Sequence, residues 1–142
     1  KMVNRMGPKF KDLVQRVTRF NPLPEYDDPN CESWRLMKAI LRQWDSELEH
    51  PAIVFPIPLY QCVEETVSPR GVQARFAELS DLQHTTVYDP LADLRAYPAT
   101  QRRGFRFATD AHPTPEGHRA LAESLANPIR AIIETQANTV KS

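Results

Sequence analysis

Apolar residues at Phe10, Leu13, Val14, Val17 and Phe20 fall at helical spacing behind Pro8, which suits a first turn. The stretch NPLPEYDDPN then breaks regular structure, because each proline disfavours helix in the residue before it. A second helix is predicted from about Glu32, entered through Asn30 or Cys31. Trp34, Met37, Leu41, Trp44 and Leu48 mark its apolar stripe and predict packing against something substantial. The run PAIVFPIP is continuous, apolar and bounded by prolines, which suits a short strand buried on both faces. YQCVEETVSPRG reads as a loop, VQARFAELSDL as a helix through Val72, Phe76 and Leu79, and HTTVYDP as a second strand ending at Asp89-Pro90. LADLRAY reads as a short helix and GFRF as an edge strand or extended segment. Thr114-Pro115-Glu116 is a strong helix start: a hydroxyl cap, proline at the first position and an acid in the first turn. That last helix is predicted to reach about Ala126, where Asn127-Pro128 kinks or restarts it.

This order of strands and helices predicts an α/β fold with a parallel sheet. Its 142 residues fit one domain with a real core, or the C-terminal portion of one domain. Glycine is scarce, at 4 residues, and proline abundant, at 13, which is unusual for an α/β enzyme that uses glycine for tight turns. The opening on Lys1, directly into patterned sequence, adds to the expectation of a C-terminal portion. The 18 basic and 18 acidic residues cancel, which argues against a nucleic-acid partner. No apolar run approaches the roughly 20 residues of a membrane span, and KMVNRMGPKF lacks the apolar core of a secretion signal. Cys31 and Cys62 show no metal spacing and read as free thiols, which favours the cytoplasm; a disulfide stays open for a secreted chain.

The chemistry gathers in FATDAHPTPEGHRALAESL. In extended backbone, residues two apart share a face, so Asp110 can reach the imidazole of His112. A carboxylate on one ring nitrogen fixes the tautomer and leaves the other nitrogen free to accept a proton. A metal site of Asp110, His112 and His118 matches no strong zinc pattern. QRRGFR is a basic cluster read as a solvated loop, and His50 and His84 read as solvated turn residues.

DAHPTPEGHRALAESL resembles the last block of the SGNH/GDSL hydrolases, in which an Asp and a His complete a triad with a distant serine. AIVFPIPLY and TTVYDPLADLR resemble that family's late strands, so the layout of the resemblance runs from Trp34 to Leu125. It implies a three-layer α/β/α, flavodoxin-like fold. It also implies a serine esterase or acyl hydrolase with His112 as general base, Asp110 as its orienter and His118 as a structural residue at the helix start. Asn4 would stand for the family's oxyanion-hole donor. The Gly-Asp-Ser block is missing, and the six serines lie in other contexts. The nucleophile would then come from an N-terminal remainder, covalent or on a second chain. The implied substrate is an ester, of a carbohydrate or lipid among others, with no cofactor and no metal. An O-acyltransferase, or a non-catalytic binding subunit with a degenerate fold of this kind, is the alternative.

Overall fold

The computed structural model describes residues 13–14 and 21–139. A 3-10 turn, Pro24–Asp27, leads into helix α1, Glu32–Glu47. Strand β1, Ala52–Val54, is followed by the short helix α2, Tyr60–Val63, and by α3, Arg70–Ala77. Strand β2, Thr85–Val87, precedes α4, Leu91–Ala96, and α5, Ala99–Arg102. A second 3-10 turn, Arg103–Phe105, reaches the loop before the long helix α6, Pro115–Thr139.

The strands pair in parallel, Ala52 with Thr85 and Val54 with Val87, and among the described residues form a sheet of two strands. Their β-branched residues favour strand, but Pro51 and Pro56 bracket β1 and Pro90 follows β2, so neither exceeds 3 residues. The predicted three-layer α/β/α architecture is therefore incorrect. Helix makes up 59% of the described residues and strand 7%, and this short, unclosed sheet is not the extended parallel sheet of an SGNH/GDSL hydrolase. β1 is half-buried rather than covered on both faces. YQCV, read as loop, is helical; of GFRF, read as an edge strand or extended segment, Gly104 and Phe105 belong to the 3-10 turn, whereas Arg106 is extended and bridges to Pro113. The long helix does not stop at Ala126 but continues through Pro128, giving up one hydrogen bond within 25 residues.

Two clusters hold the structure. Around α1, Trp34 packs its ring 5.9 Å from Tyr26 and 5.5 Å from Phe76, joining α1, the first 3-10 turn and α3. The other cluster is Cys62, Val63, Leu91, Leu94, Phe105 and Ala120, with Tyr97 and Leu121 against it. It joins α2, α4, the second 3-10 turn and α6. Cys62 is buried, Cys31 half-buried, and both are free thiols. Burial pushes the Cys62 thiol up, whereas the Ser33 hydroxyl beside Cys31 lowers that one. The predicted helix over Phe10–Phe20 lies outside the described residues, apart from Leu13 and Val14, which are helical and exposed. Among the described residues no helix is long and apolar enough to cross a membrane.

Polar anchors fix the elements that carry the strands. Asp45, at the end of α1, accepts the amides of Gln83 at 2.8 Å and His84 at 3.0 Å and so sets where β2 begins. Burial opposes its ionisation, yet the Gln83 and His84 amides keep the carboxyl below its usual range. Asp93 on α4 accepts the Ser124 hydroxyl of α6 at 2.5 Å and the Tyr88 hydroxyl at 2.6 Å. Ser124 first, then Tyr88, lowers the Asp93 pKa.

A carboxyl depressed in the folded state stabilises the fold above its unfolded pKa of about 3.9, and that contribution is lost as pH falls through the lower folded value. Ser124→Ala is expected to cost about 1.5–3 kcal/mol near neutral pH, since the bond goes to a charged acceptor. The cost should shrink as acid protonates Asp93. Urea denaturation at pH 7 and below pH 3 checks this; an equal loss at both would assign the effect to packing.

Candidate functional site

The loop 107–113 is closed by main-chain pairing. Arg106 and Pro113 form an isolated antiparallel bridge. The Phe107 amide reaches the His112 carbonyl at 3.2 Å, and the Thr114 amide reaches the Phe105 carbonyl at 2.9 Å. Thr114 then caps α6: its hydroxyl donates to the Gly104 carbonyl at 2.7 Å and accepts the Gly117 amide at 3.2 Å. The helix start thus fastens the loop at its C-terminal end to the second 3-10 turn.

Within the loop, Asp110 and His112 meet. His112 Nδ1 lies 2.6 Å from Asp110 Oδ1, and the His112 amide donates to the same oxygen at 3.2 Å. The predicted proximity is present, but its cause differs from the expected extended backbone. The Asp110 amide bonds back to the Phe107 carbonyl at 3.3 Å, a turn, and the Asp110 carboxylate then spans the next turn to His112. The His112 imidazole, and after it the His112 amide, keep the Asp110 carboxyl below its usual range. In the neutral tautomer that gives Nδ1–H to the carboxylate, Nε2 is the ring's acceptor, and the side chain is 81% exposed.

Beneath the loop is an apolar cavity of about 340 Å³. Ala111 and Pro113 form part of its wall with Leu59, Leu94 and Leu121, whereas His112 between them is outside the wall and largely exposed. Its size is that of a small-molecule pocket. Arg106 stands at the wall with its guanidinium 4.1 Å from the Tyr60 ring centre and its Nε 2.7 Å from Glu64. Arg102, also in the wall, is 8% exposed and donates to the Val63 carbonyl and to Glu65, each at 2.7 Å. This ion pair grips Glu65, which sits at a φ of 60°, where a side chain is normally disfavoured. The QRRGFR cluster is therefore not simply a solvated loop: Arg102 and Arg106 tie the second 3-10 turn to the end of α2. In sequence they resemble surface arginines, because their acidic partners lie 37 and 42 residues away.

His118 does not join the pair. His118 is exposed on the first turn of α6 rather than packed at the helix start. Asn4 lies outside the described residues. Among the described residues no three His, Cys, Asp or Glu side chains converge as metal ligands. Ser124 is committed to Asp93, and none of the observed hydrogen bonds joins His112 to a serine. The serine-esterase mechanism rested on the SGNH scaffold, as did the acyltransferase and degenerate-subunit alternatives. The two-stranded sheet removes that basis for all of them.

Comparison with known proteins returns no match: no family model, no curated protein and no solved structure is significantly similar to the chain.

Proposed function

We propose that the chain is a ligand-binding module whose site is the cavity beneath loop 107–113 together with the solvent-facing His112 beside it, which serves as the hydrogen-bond acceptor, with Asp110 as the group that orients it. The observation that carries this reading is the 2.6 Å contact between Asp110 and His112 on a loop whose neighbouring residues wall an apolar cavity. An imidazole whose Nδ1–H is held by a carboxylate offers a lone pair at Nε2 and accepts a donor from outside. The complementary ligand has an apolar body for the cavity and a hydroxyl at its end, as in an alkylphenol or an aliphatic alcohol. A carboxylate terminus suits the site less well, because it brings a second negative charge towards Asp110.

Titration with 4-butylphenol, followed by NMR of the histidine rings, tests the reading. Binding is expected to move the His112 ring signals and to leave those of His50 and His84 in place. His112→Ala should weaken binding roughly three- to tenfold, the value of one neutral hydrogen bond. Imidazole nitrogen shifts should show the Nδ1–H tautomer, and Asp110→Ala should release it to a mixture. Binding that ignores the His112 ring and survives His112→Ala, or no binding at all, overturns the reading.

A further inference from the structure

A second and larger cavity, about 740 Å³, lies between α3, the first 3-10 turn and the sheet. Its walls are mainly apolar, with Tyr26, Phe76 and Leu79 on one side and Ile57, itself 66% exposed, at the mouth. Thr85, Thr86 and Val87, the whole of β2, also line it. Successive side chains of a strand point to opposite faces of the sheet. A cavity that meets three consecutive strand residues therefore runs along the strand's edge and not over one face.

The backbone at that edge is unpaired within the sheet. The Ala52 amide donates to the His84 carbonyl, and the Tyr88 amide to the Val54 carbonyl, each at 2.9 Å. In a parallel ladder the backbone groups of a strand alternate in direction, so His84, Thr86 and Tyr88 face β1. Thr85 and Val87 turn their N–H and C=O groups the other way, along the cavity. Among the described residues the sheet has no strand beyond β2 to receive them. β2 also lacks the usual edge protections, since TTV contains no charge, no proline and no bulge.

We infer that this groove is a docking site for an extended, apolar polypeptide segment of a partner protein, which adds to β2 as a third strand. An alkyl chain would fill the apolar volume but leave the edge unsatisfied. A peptide backbone supplies donors and acceptors at the strand repeat, while alternate side chains enter the pocket by Phe76 and Leu79. This cavity adjoins the one by His112 and shares Leu23, Ile57, Pro58 and Leu59 with it, but β2 lines only the larger one, so the inference does not rest on the ligand proposed for the other.

The test uses the full chain and an end-blocked Val-Thr-Val-Thr-Val peptide, with hydrogen exchange read by NMR. Peptide is expected to slow exchange of the Val87 amide roughly tenfold or more while leaving Thr86, already laddered to β1, little changed. The same peptide N-methylated at alternate residues should give no protection. Val87→Pro removes an edge donor that β1 does not use, and should abolish peptide binding; the N-methylated peptide keeps the test decisive if that variant unfolds. Peptide binding without Val87 protection, equal protection by the N-methylated peptide, or no binding overturns the inference. So does a Val87 amide already protected in the free chain: a protection that rises with protein concentration would assign the groove to a second copy, and a concentration-independent one to this chain's own residues 1–20.

Discussion

Trp34→Ala is expected to lower stability by about 3–5 kcal/mol, the usual range for deleting a buried large aromatic side chain. The thermal midpoint should fall by on the order of 10 °C or more. Trp34 is 2% exposed and is the ring on which Tyr26 and Phe76 converge, so its loss separates three elements at once. Its indole Nε1 also donates to Glu78 at 3.1 Å, beside Lys38 at 2.7 Å on the same oxygen. Lys38 first, then Trp34, keeps the Glu78 carboxyl below its ordinary value. Trp34→Phe should lose less, since it keeps a ring and gives up the donor. The informative control is Trp44→Ala. Trp44 is 40% exposed, and its replacement should stay within about 1 kcal/mol. Guanidinium denaturation of the three variants checks the set; similar losses for the two alanine variants would refute this placement of α1.

That contrast marks the limit of the sequence pattern. Trp34, Met37, Leu41 and Trp44 form one broad stripe, but at about 100° per residue Trp44 lies some 80° round the helix from Trp34. Leu41 and Asp45 lie within about 20° of Trp34, and this narrower face is the one that meets the body. Met37, 43% exposed, falls on the open side with Trp44. Periodicity locates the helix and its general apolar side, but which part of that side is covered depends on α3 and the first 3-10 turn, far away in sequence. The same holds for the buried charge. Asp45 and Arg102 look like surface residues until their partners at Gln83, His84 and Val63 are brought to them.

Local rules predicted local structure well. Both strands, α1, α3, α4 and the Thr114 cap lie close to where propensity, proline placement and capping chemistry put them. The architecture did not follow, because an alternation of strand and helix does not specify how many strands a sheet has. Two proline-bracketed runs fit an extended parallel sheet and a two-stranded one equally well. The Asp110–His112 contact was legible because it is made within three residues and two turns, whereas the cavity beside it is built from α2, α4 and α6 and has no local signature.

Gly117→Ala sets two such rules against each other at the site itself. Gly117 is a helix residue with ordinary backbone angles, and there alanine is favoured by about 0.8–1 kcal/mol on propensity alone. Propensity therefore predicts a more stable variant. However, a Cβ at Gly117 would run into the carbonyl carbon and oxygen of Phe105. Those atoms belong to main chain, and the same carbonyl accepts the Thr114 amide, so neither can turn aside as a flexible side chain would. Overpacking of this kind costs about 1–3 kcal/mol or more, which exceeds the gain. Net destabilisation is expected. Relief requires α6 and the second 3-10 turn to separate, and that movement acts on the Thr114 cap and on the bridge between Arg106 and Pro113. The Asp110–His112 turn is fixed at one end by those contacts, so Gly117→Ala should loosen it without touching either residue. In the folded variant, the His112 ring should show a mixture of tautomers in its nitrogen shifts, together with a lower denaturation midpoint. A variant more stable than the parent, or one that keeps the single Nδ1–H tautomer, would show that the helix start does not hold the loop.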